Sequence, residues 1–229
     1  FIYRGETVCS KRRSLRTAEW LELAEHLQQQ GKEIVLSTLS LIGAESELKT
    51  LRRLCEKGKI MVEANDMAAV QLLSSQSPAT PFATGPTVNI YNNNTMNFLY
   101  PQGLRRWVMP VDLSRDTLAA IQQHRPANLD TEIFGFGRMP RSIAARCFTA
   151  RAHNLPKDDC QIRCLDDPDG ITLRTQEDQP FLTLNGVQTQ SAQTYSLIEE
   201  LGDLQDLNVD IVRISPQAHF TDKIIEIFH

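Results

Sequence analysis

The most constraining feature of the sequence is an alternation, repeated along the chain, of short apolar runs rich in β-branched residues and longer segments of helical period. Such runs predict buried strands, and a 3.6-residue period predicts helices. The predicted strands cover residues 1–3, 33–38, 60–63, 86–91, 105–109, 131–136, 180–184 and 209–214. The predicted helices cover residues 17–30, 45–57, 67–74, 95–100, 114–124, 191–201 and 220–228. This order predicts an α/β fold with a parallel sheet covered by helices.

Eight predicted strands in 229 residues favour a (β/α) TIM-barrel-like fold over an open doubly wound sheet. The glycine fingerprint of dinucleotide-binding folds is absent, because Gly135 and Gly137 are followed by Pro140 where the third glycine belongs. Asp66 and Ser114 stand before helical runs and are expected to cap them. The class is α/β and the expected architecture is a barrel.

No linker rich in Pro, Gly or Ser divides the chain, so we expect a single barrel-like domain over residues 1–229. The chain opens with Phe1 rather than Met, so we expect the barrel to be incomplete at its N-terminus. Residues 137–179 interrupt the alternation and are predicted to be an irregular insertion. Long irregular segments in compact domains are usually functional, which directs attention to this one.

The insertion carries three of the five cysteines, Cys147, Cys160 and Cys164, and Cys9 follows the first predicted strand. A barrel would bring both segments to its carboxyl face, where four thiolates would converge. Four thiolates bind either a tetrahedral zinc ion or an iron–sulfur cluster. The lack of a paired CxxC motif favours the cluster, while zinc and simple packing of thiols in a core stay as alternatives.

Cys55 differs from these four, because it recurs at helical spacing with Leu48 and Leu51 and is therefore expected to be structural. Five cysteines, an odd and small number for this length, indicate reduced thiols and hence the cytoplasm.

The balance of 24 basic and 28 acidic residues gives a net charge of −4, which disfavours nucleic acid as a partner. No apolar run approaches the ~18 residues of a membrane span, so none is expected.

Two cysteine-bearing stretches resemble a known family. They are Glu-Thr-Val-Cys-Ser-Lys-Arg-Arg at 6–13 and Ser-Ile-Ala-Ala-Arg-Cys-Phe-Thr-Ala-Arg at 142–151, the second followed by Pro-Lys-Asp-Asp-Cys-Gln-Ile-Arg-Cys at 156–164. Both are similar to the ubiquinone-biosynthesis members of the collagenase-like peptidase family. Further similar stretches cover residues 36–41, 109–116, 181–189 and 209–217, so the resemblance spans the whole chain.

The resemblance implies a barrel-like α/β fold and a [4Fe–4S] cluster held by Cys9, Cys147, Cys160 and Cys164. It implies an iron–sulfur subunit that hydroxylates the ring of ubiquinone precursors without O₂, as a heterodimer with a UbiU-like sister iron–sulfur protein. A UbiT-like lipid carrier is the implied third component, and a small dianion such as prephenate, the hydroxyl source in related family members, is an expected co-substrate.

The peptidase signature of the family is only partly present. Glu132, Ile133, Phe134 and Gly137 fit it, but Arg138-Met139-Pro140 stands where the pattern ends in a cysteine. Without that thiol, we do not expect peptidase activity.

Eight basic residues crowd the cysteine segments: Lys11, Arg12, Arg13, Arg16, Arg138, Arg141, Arg146 and Arg151. They suit either recognition of a carboxylate substrate or compensation of the cluster's negative charge. Arg12 and Arg138 are the substrate candidates among them, and Arg146 is assigned to compensation. Glu63, Asn89 and Asn185 are further candidates, because they stand at predicted strand ends where barrels place binding groups.

Three functions follow from these observations. The first is the iron–sulfur subunit of an oxygen-independent hydroxylase. The second is a non-catalytic electron-relay or scaffold subunit of the same complex. The third, an RNA-modifying or proteolytic relative, is disfavoured by the net charge and the missing thiol. The sequence identifies no catalytic residue.

Overall fold

The computed structural model describes residues 2–4, 8–9, 11, 17–56, 60–76 and 78–229. They form two compact units, unit 1 (Phe1–Asp130) and unit 2 (Thr131–His229). The mixed α/β class is confirmed. The single-domain organisation stays a prediction. No helix within the described residues is long and apolar enough to cross a membrane.

Within its described residues, unit 1 has five parallel strands that alternate with helices. The strands are β1 (Ile2–Arg4), β2 (Glu33–Ser37), β3 (Met61–Ala64), β4 (Phe82–Thr84) and β5 (Leu104–Val108). The helices are α1 (Thr17–Gln29), α2 (Glu45–Glu56), α3 (Met67–Ser74), α4 (Asn93–Leu99) and α5 (Arg115–Gln122), with a 3₁₀ turn at Tyr100–Gln102. Each strand pairs with the next in sequence. This sequential order is that of a (β/α) barrel, whereas a doubly wound sheet reverses its order. Closure of a barrel stays a prediction.

Side-chain caps set the beginnings of three helices. The Asp66 carboxylate accepts from the Ala68 amide at 2.7 Å before α3, and the Ser114 hydroxyl accepts from the Thr117 amide at 3.2 Å before α5. Asn92 caps α4 in the same way. Each cap satisfies an amide that has no partner within its helix, so the predicted caps Asp66 and Ser114 are confirmed.

The helices of unit 1 bury apolar stripes against the sheet. Leu21 and Ala24 of α1 pack with Ile34, Leu36 and Ile60 in one cluster. Burial of a large aliphatic side chain contributes about 1.5–3 kcal/mol. Buried ionisable side chains interrupt this apolar sheet at Glu63 and Arg106.

Arg106 of β5 is 3% exposed. Its Nη2 donates to Glu33 Oε1 at 2.7 Å and to Asp130 Oδ2 at 3.0 Å. Both carboxylates are about half exposed, so the buried guanidinium is neutralised from the solvent side.

The predicted strand at 86–91 is wrong, because β4 occupies Phe82–Thr84 and ends before Gly85-Pro86. Val88 and Ile90 lie in the following loop, yet they are 5% and 0% exposed. Their apolar character therefore reflects burial of a loop and not a strand.

Unit 2 contains β6 (Asp130–Ile143), β7 (Ile171–Arg174), β8 (Pro180–Asn185), β9 (Gln188–Ser196) and β10 (Ile211–Ile214). Its helices are α6 (Phe148–Ala152), α7 (Leu201–Asp206) and α8 (Thr221–Phe228), with 3₁₀ turns at Lys157–Asp159 and Arg163–Leu165. β6 pairs with β10 in parallel and with β9 antiparallel, and β9, β8 and β7 form an antiparallel meander.

Two predictions for this region are wrong. Residues 191–201 are mostly strand, because β9 returns along β8 through a tight turn at Gly186 and Val187. The 137–179 segment is only partly irregular, since β6 runs through to Ile143 and β7 begins at Ile171. Long-range pairing overrides the weak local pattern in both places.

Candidate functional site

A buried polar cluster occupies the carboxyl ends of β2 and β3 in unit 1. Glu63 is fully buried, and its Oε1 accepts from Ser37 Oγ at 3.2 Å and from Asn65 Nδ2 at 3.0 Å. Ser37 and Glu63 are register partners, so their side chains leave the sheet on the same face. We call Ser37, Thr38, Glu63, Asn65 and Thr87 the Glu63 cluster.

Asn65 is the centre of this cluster. Its amide N–H donates to Thr38 Oγ1 at 2.9 Å and its Nδ2 donates to the Thr38 carbonyl at 3.1 Å. The Thr87 hydroxyl donates to the Asn65 carbonyl at 2.7 Å. A Cβ on Gly85 would lie 1.8 Å from Asn65 Oδ1, so only glycine allows the two segments to approach this closely.

The sequence reasoning found Glu63 but missed Ser37, Thr38 and Asn65. The available signal was polar residues directly after apolar strands, which in a (β/α) sheet gather at one edge. Asn89, the other candidate of unit 1, is an exposed residue of the loop after β4. None of the hydrogen bonds that define the Glu63 cluster involves it.

A small cavity of about 150 Å³ borders the cluster at Thr38. Its wall includes Leu39, Ile42, Ser46, Glu47 and Thr50, from the loop after β2 and from α2. Glu47 Oε2 accepts from the Gly43 amide at 2.9 Å, which holds this loop at the start of the helix. A cavity of this volume has room for a few water molecules or one small ring, and it is smaller than typical ligand pockets.

Tyr91 lies beyond β4 and donates its hydroxyl to both carboxylate oxygens of Asp112, at 2.9 Å each. Partial burial, the hydrogen bond to Asp112 and that carboxylate's charge, in that order, raise the pKa of Tyr91. The phenol therefore stays protonated at neutral pH and acts as a donor.

The three cysteines of unit 2 lie on successive short helical turns. Cys147 is the N-cap of α6, and its Sγ accepts from the Ala150 amide at 3.4 Å. Cys160 ends the turn Lys157–Asp159 and Cys164 lies inside the turn Arg163–Leu165, which packs against α6. All three thiols are partly buried.

The backbone between Cys160 and Cys164 is strained. Gln161 and Ile162 have φ values of 50° and 53°, and a β-branched residue such as Ile rarely adopts this left-handed conformation. Such a conformation costs on the order of 1–3 kcal/mol and tends to occur at functional sites. The chain thus turns between Cys160 and Cys164, and the turn that holds Cys164 packs against α6.

Cys9 is a partly buried residue of unit 1. Within the described residues, no group of three or more His, Cys, Asp or Glu side chains is arranged to hold a metal ion. By residue type alone the four candidates suit an iron–sulfur cluster, since all are cysteines outside disulfides. Their role as ligands stays a prediction.

The family model for peptidase family U32 matches residues 1–228, almost the entire chain. The chain belongs to peptidase family U32. No solved structure is detectably similar to it. The family part of the resemblance is therefore confirmed, and the ubiquinone-biosynthesis branch and the cluster stay proposals.

The peptidase-like signature of this U32 chain has a structural role at its first residue. Glu132 is 1% exposed, and its Oε1 accepts from Arg213 Nε at 2.6 Å between the paired strands β6 and β10. A carboxylate held in a buried ion pair cannot readily act as a general base.

Arg138 of the same signature lies in β6 and reaches across to β8 and β9. Its Nη1 donates to Thr183 Oγ1 and to the Ser191 carbonyl, both at 3.3 Å, and to the Ala192 carbonyl. Its Nε is buried without a hydrogen-bond partner. Much of this guanidinium is therefore committed to protein atoms, and its role toward substrate stays a prediction. Arg12, the other cationic candidate, lies outside the described residues.

Asn185 of unit 2 stands at a strand end, as predicted, but the strand is not a parallel one. It ends β8, an antiparallel strand, and its Nδ2 donates to the Pro168 carbonyl at 3.5 Å. The side chain therefore links the β8–β9 hairpin to the loop that follows Cys164.

Cys55, by contrast, is confirmed as a core residue at 2% exposure on the inward face of α2. Burial, with a smaller effect of Glu56, raises its pKa to about 11. The thiol is therefore protonated at neutral pH and unsuited to bind a metal as thiolate.

Proposed function

We propose that this U32 protein is a UbiV-like iron–sulfur subunit of an oxygen-independent ring hydroxylase in ubiquinone biosynthesis. It would act in the cytoplasm with a UbiU-like sister protein, and a UbiT-like carrier would present the apolar ubiquinone precursor. A small dianion such as prephenate is the proposed oxygen donor. The observation that carries the proposal is the set of cysteines outside disulfides on adjoining turns in a U32 chain.

Cys9, Cys147, Cys160 and Cys164 would hold the [4Fe–4S] cluster. When bound, a cluster of this type supplies one-electron redox chemistry or a Lewis-acidic iron. The chain's own contribution at Cys147 is the N–H donor of Ala150, which donates to Sγ at 3.4 Å and helps to hold this sulfur in place. The arginines near these cysteines offset the negative charge of four thiolates.

One observation favours the second function, a relay or scaffold subunit without substrate chemistry. Glu63 is fully buried and Arg138 is largely occupied by backbone carbonyls, so two of the proposed substrate residues are engaged within the protein. On this alternative, the substrate would bind to the sister subunit, and this chain would carry electrons or hold the complex together.

The test of the cluster is a measurement of iron and acid-labile sulfide on protein purified without oxygen. We expect about four of each per chain, with loss in the alanine variants of Cys9, Cys147, Cys160 and Cys164. Cys55→Ala is the matched control and should retain the cluster, because the Cys55 thiol is buried and protonated. Zinc without sulfide, or loss of the cluster in the Cys55 variant alone, would refute the assignment.

The two functions are separated by neutralising a cationic candidate. Arg12→Gln should retain iron and sulfide yet lower hydroxylation in the reconstituted complex if this chain binds the anionic co-substrate. Unchanged turnover with a full cluster would favour the relay.

A further inference from the structure

We propose that Thr149 is a positioning residue that fastens Cys147 and α6 to the β8–β9 hairpin, and so determines how firmly the cluster is held. The inference rests on the proposed function, because it concerns a cysteine that would be a cluster ligand. The hydroxyl–amide contact that carries it lies wholly within unit 2.

The hairpin turn places the Gly186 amide outside the ladder of strand hydrogen bonds. Asn185 pairs with Gln188, so Gly186 and Val187 form a two-residue turn. Gly186 has a φ of 66°, as the first central residue of a type II′ turn requires. The amide at that position points away from the ladder, and here it donates to Thr149 Oγ1 at 3.0 Å.

Two backbone hydrogen bonds fasten the same turn on either side of Cys147. The Ala144 amide donates to the Val187 carbonyl and the Phe148 amide donates to the Gly186 carbonyl, each at 2.8 Å. Cys147 lies between these two anchors in the sequence. Thr149 adds the one side-chain anchor among the three bonds, and it is 2% exposed, so no bulk water competes for its hydroxyl.

The position of α6 in turn determines two contacts of the cysteines. The Ala150 amide, next to Thr149, is the donor to Cys147 Sγ. The turn that holds Cys164 packs against α6. A shift of α6 would therefore weaken the N–H···S bond and change the separation of Cys147 and Cys164. Hydrogen bonds to ligand sulfurs tune the potential of such clusters, and loss of an outer partner typically costs 10–100-fold in metal affinity.

The experiment uses the full chain, reconstituted with iron and sulfide without oxygen and then challenged with an iron chelator. Thr149→Val should release iron on the order of ten-fold faster than the wild type and lower the reduction potential of the cluster. Thr149→Ser, which keeps the hydroxyl, should restore both values. Thr183→Val is the matched control, since Thr183 is equally buried but hydrogen bonds to Arg138 rather than to the turn.

The results distinguish a positioning role of Thr149 from general destabilisation. Wild-type release and potential in Thr149→Val would overturn the inference, as would an equal effect of Thr183→Val, which would indicate general destabilisation. If Thr149→Val does not fold, the comparison becomes Thr149→Ala against Thr149→Ser, and equal release by these two overturns it. A wild-type chain that binds no iron and sulfide refutes the proposed function itself, and the inference with it.

Discussion

Gly85→Ala tests the close approach on which the Glu63 cluster depends. The new Cβ would lie 1.8 Å from Asn65 Oδ1 and 2.6 Å from Asn65 Cγ, distances that real atoms do not adopt. The Asn65 side chain must therefore leave its place. It would lose its hydrogen bonds to the Thr38 carbonyl, to Glu63 Oε1 and from the Thr87 hydroxyl.

The magnitude follows from those three bonds. Two of these bonds are buried and the one from Thr87 is partly buried; at about 1 kcal/mol for each, we expect Gly85→Ala to lower the free energy of unfolding by about 3 kcal/mol. Asn65→Ala removes the same bonds and should cost about as much. In the double variant the clash partner is gone, so the total should stay near 3 kcal/mol rather than reach the additive value of about 6 kcal/mol.

The assay is urea unfolding followed by circular dichroism. The dependence of the free energy of unfolding on urea concentration is compared among variants, to confirm that the same transition is observed. Gly43→Ala is the matched control in unit 1, because its Cβ would lie 3.9 Å from the nearest atom outside its immediate neighbours, Glu47 Oε2. We expect that variant to remain within about 0.5 kcal/mol of the wild type. Additive losses in the Gly85 and Asn65 double variant would refute the reasoning.

Two further predictions concern buried groups of unit 1. The double variant Glu33→Gln, Asp130→Asn should cost about 3–5 kcal/mol of unfolding free energy by chemical denaturation, because it takes both carboxylates away from a buried guanidinium. Glu33→Gln alone should cost less than about 1 kcal/mol, because that carboxylate is half exposed and Asp130 remains. The reverse order of losses would contradict this account of the ion pair. Cys55 has a folded pKa of about 11 against an ordinary value of 9.0, so the unfolded thiol ionises first as the pH rises. Stability should therefore fall between pH 9 and 11 by up to about 2–3 kcal/mol. Cys55→Ala should remove that part of the loss in unfolding curves measured across the range, and an unchanged slope would show that other groups cause it.

The cysteine segment shows where sequence reasoning reached its limit. The spacing of Cys147, Cys160 and Cys164 was visible in the sequence, and so was the inward position of Cys55 on a helical stripe. The strand β9 was mistaken for a helix, because its Gln, Thr and Ser residues carry no apolar alternation. Its conformation comes from the hairpin with β8.

The sequence also predicted only part of the candidate site of unit 1. Glu63 was identified from its place at a strand end, whereas Asn65 and Gly85 have no distinguishing local pattern. Their contact joins residues 20 positions apart in the sequence, and it exists because β3 and β4 are neighbours in the sheet.

The sequence by itself determined the alternation of strands and helices, the caps Asp66 and Ser114, and the assignment of Cys55 to the core. These features depend on residues within a few positions of one another, so periodicity and capping chemistry reveal them. Only the tertiary structure decided the register of the strands in unit 1, the burial of Glu63 and the hydrogen bond between Thr149 and Gly186. Those features depend on strand register and turn geometry across long separations, which no local pattern specifies.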